Sequence, residues 1–146
     1  MDFSYLYLST DGRIGRQTFW IGHIILAVVG ILLMLIVGAL FGQFSFMTRL
    51  INFIFVIVVA YPAYAVSAKR FQDRGKPGKL GAILIGLSLF SSLLALMGLT
   101  GNPIDPNLFG TLLGFVTAAV GIWYLIELGI LRGTVGDNQY GSDPVG

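Results

Sequence analysis

Residues 19–41 read FWIGHIILAVVGILLMLIVGALF, an apolar run without lysine, arginine, aspartate or glutamate. A helix needs about 20 mostly apolar residues to cross the hydrocarbon core of a bilayer. The run therefore predicts a membrane-spanning helix. It is longer than the apolar core of a signal peptide, and residues 1–10 contain no basic side chain. We therefore expect the segment to be retained rather than cleaved.

Three further apolar runs follow the first one. They cover residues 50–68, 80–99 and 109–131, and Glu127 is the only charged residue among them. The loop 69–79 and the tail 132–146 are too short to form a separate soluble domain. The sequence therefore predicts an all-α membrane protein, a single domain over residues 1–146 that forms a bundle of four transmembrane helices.

The composition agrees with this assignment. Of the 146 residues, 55% are hydrophobic and only 11% are charged, against roughly 25% charged residues in an average soluble domain. This balance excludes an ordinary soluble domain and a disordered chain. The chain has no cysteine and one histidine, which excludes disulfides, thiolate metal sites and multi-histidine zinc sites. We expect no metal and no cofactor.

The distribution of basic residues predicts the orientation. The chain has nine lysines and arginines, and all except Arg49 lie in the N-terminal tail, the loop 69–79 or the tail 132–146. Lysine and arginine accumulate on the cytoplasmic side of a membrane protein. Both termini and the loop 69–79 are therefore expected in the cytoplasm. These charges are too few, and too close to the spans, to indicate nucleic-acid binding.

Two ionisable residues lie inside the predicted spans, His23 in the first and Glu127 in the fourth. They lie at similar depth below the cytoplasmic boundary, and an intramembrane polar pair results if these spans are neighbours. Such a pair suits proton or ligand chemistry, or a structural hydrogen bond. Pro62 predicts a kink in the second span. An alternative hypothesis is therefore a cavity lined by His23, Tyr61, Tyr64 and Glu127.

Small residues recur at four-residue spacing in the fourth span, at Gly110, Gly114 and Ala118. Helices in a membrane associate by close backbone approach, which small residues permit. The stripe therefore predicts a contact face toward a neighbouring helix.

Three polar segments flank the spans on the side where the basic residues cluster. They read GRIGRQTFW (12–20), KRFQDRGKPG (69–78) and RGTVGDNQYGSDP (132–144). Together they resemble the bacterial membrane family named domain of unknown function 805. A leucine and a histidine of the family pattern are Phe71 and Gln72 here. The resemblance implies a four-span protein of the bacterial inner (cytoplasmic) membrane, and it implies no particular reaction.

The polar residues of these segments are expected to meet at the cytoplasmic end of the bundle. We call them the polar cap: Arg13, Arg16, Lys69, Arg70, Asp73, Arg74, Asn138, Tyr140 and Asp143. Basic clusters next to a span attract anionic lipid headgroups, so the cap is a candidate site for a headgroup or for a partner membrane complex. Asp137 or Asp143 of the tail is expected to dock on Arg70 or Arg74.

The sequence contains no nucleophile elbow, phosphate-binding loop, dinucleotide fingerprint or paired metal ligands. We therefore expect no catalytic residues and no enzymatic activity. The leading hypothesis is a structural or accessory membrane protein whose polar cap contacts anionic lipid or a partner complex. A small transporter or lipid-handling protein is the alternative, and an enzyme acting on lipid headgroups is a third hypothesis. Homo-oligomerisation and assembly into a larger membrane complex both stay open.

Overall fold

The computed structural model describes residues 2–144 and consists of helices joined by short connections. Four segments are long and apolar enough to cross a membrane, namely Arg16–Phe41, Phe46–Asp73, Gly78–Leu96 and Leu108–Ile130. Within the described range, β-type pairing is limited to two isolated bridges, Gly101 with Pro106 and Asn138 with Gly141. The prediction of an all-α protein with four helices of membrane-spanning length is confirmed.

The helices follow one another with little intervening chain. In chain order they are α1 (Phe3–Leu8), α2 (Arg16–Phe41), α3 (Phe46–Asp73), α4 (Ala82–Leu96) and α5 (Leu108–Tyr124). A 3₁₀ turn at Gly78–Gly81 precedes α4, and a π-helical turn at Leu125–Ile130 continues α5. The third and fourth membrane-length segments each therefore combine an α-helix with a short turn of different pitch.

Polar side chains set the first residues of two spans. The Ser45 hydroxyl accepts a hydrogen bond from the Thr48 amide at 3.1 Å, and the Asn107 side chain accepts one from the Gly110 amide at 2.8 Å. Each side chain satisfies an amide that has no acceptor within the first turn of its helix. Helix α2 ends at Phe41 and is followed by Gly42, whose φ of 86° is a left-handed conformation that glycine adopts without strain.

Two boundaries differ from the predicted spans because charged residues continue the helix. Helix α3 extends through Asp73, so residues 69–73 of the predicted loop 69–79 are helical. Lys69 and Arg70 are fully buried there and donate hydrogen bonds to acceptors supplied by distant segments. Their charged groups therefore have partners without water. At its other end α3 begins at Phe46, capped by Ser45, and Arg49 therefore lies in the helix rather than in a loop.

Helix α3 is the central element of the bundle. It contacts α1, α2 and α4, while α5 packs on α4 and its π-helical turn contacts α2 and α3. The buried apolar cluster lies at the end of the bundle where α1, the last turns of α3 and the π-helical turn meet, and it comprises Leu6, Ile14, Phe19, Val66, Phe71, Tyr124 and Leu128. We call this the basic end, because the polar cap lies there. The far end carries residues 42–45 and 97–107.

Large apolar side chains cover the outside of the spans. Ile31, Leu35 and Leu40 of α2 and Phe115 of α5 are each more than half exposed. Such a surface suits contact with lipid chains, which solvate apolar side chains as well as a protein interior does.

Candidate functional site

Asp73 is the centre of the polar cap. Its Oδ1 accepts from Arg13, with Nη2 at 3.0 Å and Nε at 3.1 Å, and its Oδ2 pairs with Arg70. All three side chains are at most 3% exposed. The Asp73 carbonyl also accepts from the Thr134 amide at 2.8 Å. The segment before α2, the end of α3 and the C-terminal tail therefore meet at one carboxylate, as the sequence predicted for the cap.

The tail docks on Arg13 through its backbone. Arg13 donates hydrogen bonds to the carbonyl oxygens of Thr134, Gly136 and Gly141, at 2.6, 2.7 and 3.0 Å respectively. Asp143 accepts from the Gly136 amide at 2.9 Å and thereby closes the tail on itself. The sequence predicted docking of Asp137 or Asp143 on Arg70 or Arg74, and the structure adds a further anchor, the Arg13 guanidinium, which the tail surrounds.

Arg70 joins α3 to the end of the fourth span. Its Nε donates to the Leu128 carbonyl at 2.8 Å, and its Nη2 donates to the Leu131 carbonyl at 2.5 Å. Arg16 donates to the Ile130 carbonyl at 3.0 Å, and the Trp20 indole donates to the Gly129 carbonyl at 3.2 Å. The last carbonyls of a helix have no partner within the helix and favour cations. The side chains of α2 and α3 supply these missing donors.

Lys69 performs the same role for α1. Its fully buried ammonium group donates to the carbonyls of Leu6 at 2.8 Å and Ser9 at 2.7 Å, and also to that of Tyr5. The group lies 4.5 Å from the centroid of the Tyr5 ring, in a cation–π contact. Burial raises the pKa of the Tyr5 phenol, and the nearby Asp11 charge acts in the same direction. The phenol therefore stays protonated and donates to the Arg13 carbonyl at 3.3 Å.

His23 and Glu127 do not form the predicted pair. Glu127 binds Arg74 Nε at 3.1 Å and Lys76 Nζ at 2.7 Å. The His23 ring contacts the Phe19 carbonyl at 3.2 Å and the Ser67 hydroxyl at 3.5 Å. Arg74 and Lys76, at and just after the end of α3, lie close to Glu127. The carboxylate is therefore paired with two cations, and the imidazole is not its partner.

The tail turns tightly over the end of α3. Asn138 donates to the Gln72 carbonyl at 3.0 Å and accepts from the Tyr140 amide at 2.8 Å. Both Asn138 and Tyr140 are half-buried. Gly133 lies so close to Asp73 that a β-carbon there would overlap the carboxylate. The sequence pattern alone did not indicate this requirement, although Gly133 lies within the motif RGTVGDNQYGSDP (132–144).

Several basic side chains stay exposed around this network. Arg16, Lys79 and Arg132 are exposed at the basic end. A cavity of about 50 Å³ lies between two of them, lined by Gly15, Arg16, Arg70, Asp73, Arg132, Gly133, Thr134 and Asp143. Residues 2–144 contain no group of three or more histidine, aspartate or glutamate side chains that could hold a metal ion.

A larger cavity, of about 1030 Å³, lies at the far end of the bundle. None of the residues expected to line a cavity, namely His23, Tyr61, Tyr64 and Glu127, lines this one. Tyr61 instead donates to the Leu8 carbonyl at 2.8 Å and ties α3 to the end of α1. Helix α3 continues unbroken through Pro62. The far-end cavity is therefore not the cavity expected from a kink at Pro62.

Comparison with known proteins agrees with these features. The profile of a family described as "Protein of unknown function (DUF805)" matches residues 7–142. The chain is 36% identical over 137 residues to "Uncharacterized protein YiiR" of Escherichia coli (strain K12), covering 92% of this chain and 85% of that protein. The same values hold for the protein of that name in Escherichia coli O157:H7. No solved structure matches the chain.

Proposed function

The chain belongs to the DUF805 family, and from this premise we propose that it is a non-enzymatic membrane protein whose basic end binds anionic lipid headgroups. In this proposal the basic end faces the cytoplasm and the protein lies in a bacterial inner membrane. The excess of lysine and arginine at that end supports the orientation. The bound lipid would anchor a structural or accessory component at the cytoplasmic leaflet.

One observation carries the proposal, namely the division of the basic residues into two sets. The buried set, which includes Arg13, Lys69 and Arg70, is occupied by carboxylate and carbonyl acceptors of the protein itself. The exposed set comprises Arg16, Lys79 and Arg132. The exposed set is the most accessible to an outside anion, since partly exposed Arg74 and Lys76 are paired with Glu127. It lies beside the ends of apolar spans, where lipid headgroups are located.

The two buried carboxylates at the basic end support a non-catalytic assignment. Asp73 is paired with Arg13 and Arg70, and Glu127 with Arg74 and Lys76. A general base or nucleophile must reach a substrate, whereas these groups are each occupied by two cations. Their arrangement therefore favours a role in holding segments together.

The test is lipid retention by the purified protein in nonionic detergent, measured by native mass spectrometry with phosphatidylglycerol and phosphatidylcholine. We expect phosphatidylglycerol to be retained preferentially. The Lys79→Gln/Arg132→Gln double variant should lose most of this preference, because it removes two exposed charges that are not part of the buried network.

The matched control is Lys79→Arg/Arg132→Lys, which preserves both charges and should preserve the preference. An unchanged preference in the glutamine variant would contradict the proposal. Copurification of a stoichiometric membrane protein, lost in the glutamine variant and kept in the control, would instead identify the surface as a docking site for a partner complex.

A further inference from the structure

The cavity of about 1030 Å³ at the far end reaches all four long helices. This volume is at the upper limit of the roughly 300–1,000 Å³ typical of small-molecule sites. Its walls are mostly apolar and include Met34 of α2 and Leu113 and Phe115 of α5. The basic end, in contrast, is closed by the buried network around Asp73. The bundle is therefore packed at one end and open at the other.

Helix α5 contributes its small residues to this cavity. Gly110, Gly114 and Ala118 all line it, although their spacing predicts a helix contact face. A β-carbon added at Gly114 would meet no atom within 4 Å. Gly110 alone makes a close contact, with the backbone of Thr100. The part of the stripe around Gly114 therefore borders empty space rather than a neighbouring helix.

Arg49, in the first turn of α3, lines this cavity. Its Nε is shielded from solvent and has no hydrogen-bond partner. Its Nη1 lies 3.4 Å from the Ala95 carbonyl, a weak contact. Within residues 2–144, the ion pairs involve other cations, and no carboxylate lies within 4 Å of Arg49. A guanidinium nitrogen that is shielded from solvent and has no hydrogen-bond partner is unfavourable.

A second polar atom without a partner lies on α4. The Ser91 hydroxyl oxygen of α4 is buried without a hydrogen bond, and Ser91 lines the same cavity as Arg49. Asn52, one turn after Arg49 on α3, also lines it. Buried polar groups in native proteins nearly always have a partner. A cation, a hydroxyl and an amide thus face one space that the protein itself does not fill.

We propose that this cavity binds one anionic amphiphile, with an acidic headgroup on Arg49 and Ser91 and an alkyl chain along the apolar wall. The negative charge supplies the counterion that Arg49 lacks, and the hydroxyl adds a hydrogen bond. Arg49 lies in the first turn of α3, so its depth matches that of a lipid headgroup near the membrane surface. The alkyl chain of the ligand then extends toward the middle of the bundle. The shared headgroup chemistry is a phosphate or a carboxylate.

The experiment measures binding of dodecyl phosphate to the purified full-length protein in nonionic detergent by isothermal titration, with dodecanol and inorganic phosphate as comparison ligands. In the Lys79→Gln/Arg132→Gln background, which lacks two exposed charges of the basic end, we expect dodecyl phosphate to bind at one site. It should bind there at least about tenfold more tightly than either comparison ligand, since a charge-assisted hydrogen bond contributes about that factor. Equal binding by dodecanol, or by inorganic phosphate, would overturn the proposal.

Two variants test the two parts of the site. Arg49→Gln should weaken dodecyl phosphate binding by about tenfold or more and leave dodecanol binding unchanged, because it removes only the charged anchor. Gly114→Leu should weaken binding of both in the cavity, because its side chain takes up part of the space along the apolar wall. Unchanged dodecyl phosphate binding in either variant would overturn the proposal.

Gly86→Leu is the matched control for Gly114→Leu. Gly86 also has no atom within 4 Å of an added β-carbon, and it does not line the cavity. This variant should bind dodecyl phosphate as the unsubstituted protein does. Because these titrations are made in the Lys79→Gln/Arg132→Gln background, binding in the cavity fails or succeeds independently of lipid binding at the basic end.

Discussion

Arg13 and Asp73 lie 60 residues apart in the chain and form an ion pair at 3.0 Å that is almost completely shielded from solvent. The pair joins the segment before α2 to the end of α3, and the same guanidinium binds three carbonyls of the C-terminal tail. Arg70 shares the carboxylate. Two buried cations therefore depend on one anion, which makes the local charge balance sensitive to single substitutions.

Asp73→Asn should destabilise the protein more than Arg13→Gln does. The first substitution leaves two buried guanidinium groups without an anion, whereas the second leaves one ion pair intact. Breaking a buried pair costs about 3–5 kcal/mol, so we expect Asp73→Asn to fall in that range. The measurement is the free energy of unfolding in detergent with increasing denaturant.

The Arg13→Gln/Asp73→Asn double variant provides the control for this prediction. Its loss of stability should be smaller than the sum of the two single losses, because the residues share one interaction. Additive losses would show that the ion pair contributes no coupling energy.

Gly133→Ala should loosen the tail. Its methyl group would overlap the Asp73 carboxylate, and overpacking in a closed site costs about 1–3 kcal/mol. We expect faster proteolysis within residues 134–144 and a lower unfolding temperature. Gly86→Ala is the control. It adds a methyl group in open space within α4, and it should be neutral or stabilising because alanine favours helix formation over glycine.

Lys69→Met should release α1 while leaving the spans folded. The substitution retains most of the apolar stem and removes the donor that binds the carbonyls of Tyr5, Leu6 and Ser9. A hydrogen bond to a charged group contributes about 1.5–3 kcal/mol, so amide exchange in α1 should rise roughly ten- to a hundredfold. Lys79→Met, at an exposed lysine, should leave that exchange unchanged. An equal effect of the two substitutions would contradict the assigned role of Lys69.

The sequence was sufficient to predict the parts of the fold that depend on hydropathy. Four uncharged or nearly uncharged runs predicted four long helices, and the location of the three polar segments on one side of the membrane predicted that they meet. The partners within the cap were not predictable, because Arg13 and Arg70 bind backbone carbonyls that every residue possesses. The charge of Lys69 suggested a solvated loop, since the sequence does not show that α1 supplies its acceptors.

The far-end cavity was not predictable for a related reason. Its position depends on how the helices pack, and a stripe of small residues permits either close contact or an open space. Gly114 illustrates the second outcome, because no neighbouring helix approaches it. Arg49 was assigned to a loop, so its unpartnered position within the first turn of α3 was not apparent.

Glu127→Gln and His23→Phe should have independent effects on stability. Glu127 binds partly exposed Arg74 and Lys76, whose pairing contributes about 1 kcal/mol or less and weakens with salt. His23 contacts Phe19 and Ser67 instead. The loss in the double variant should therefore equal the sum of the single losses within about 0.5 kcal/mol, measured as unfolding free energies at low salt. A larger coupling energy between the two would restore the intramembrane pair that the sequence suggested, and it would place a proton-sharing contact between the first and fourth spans.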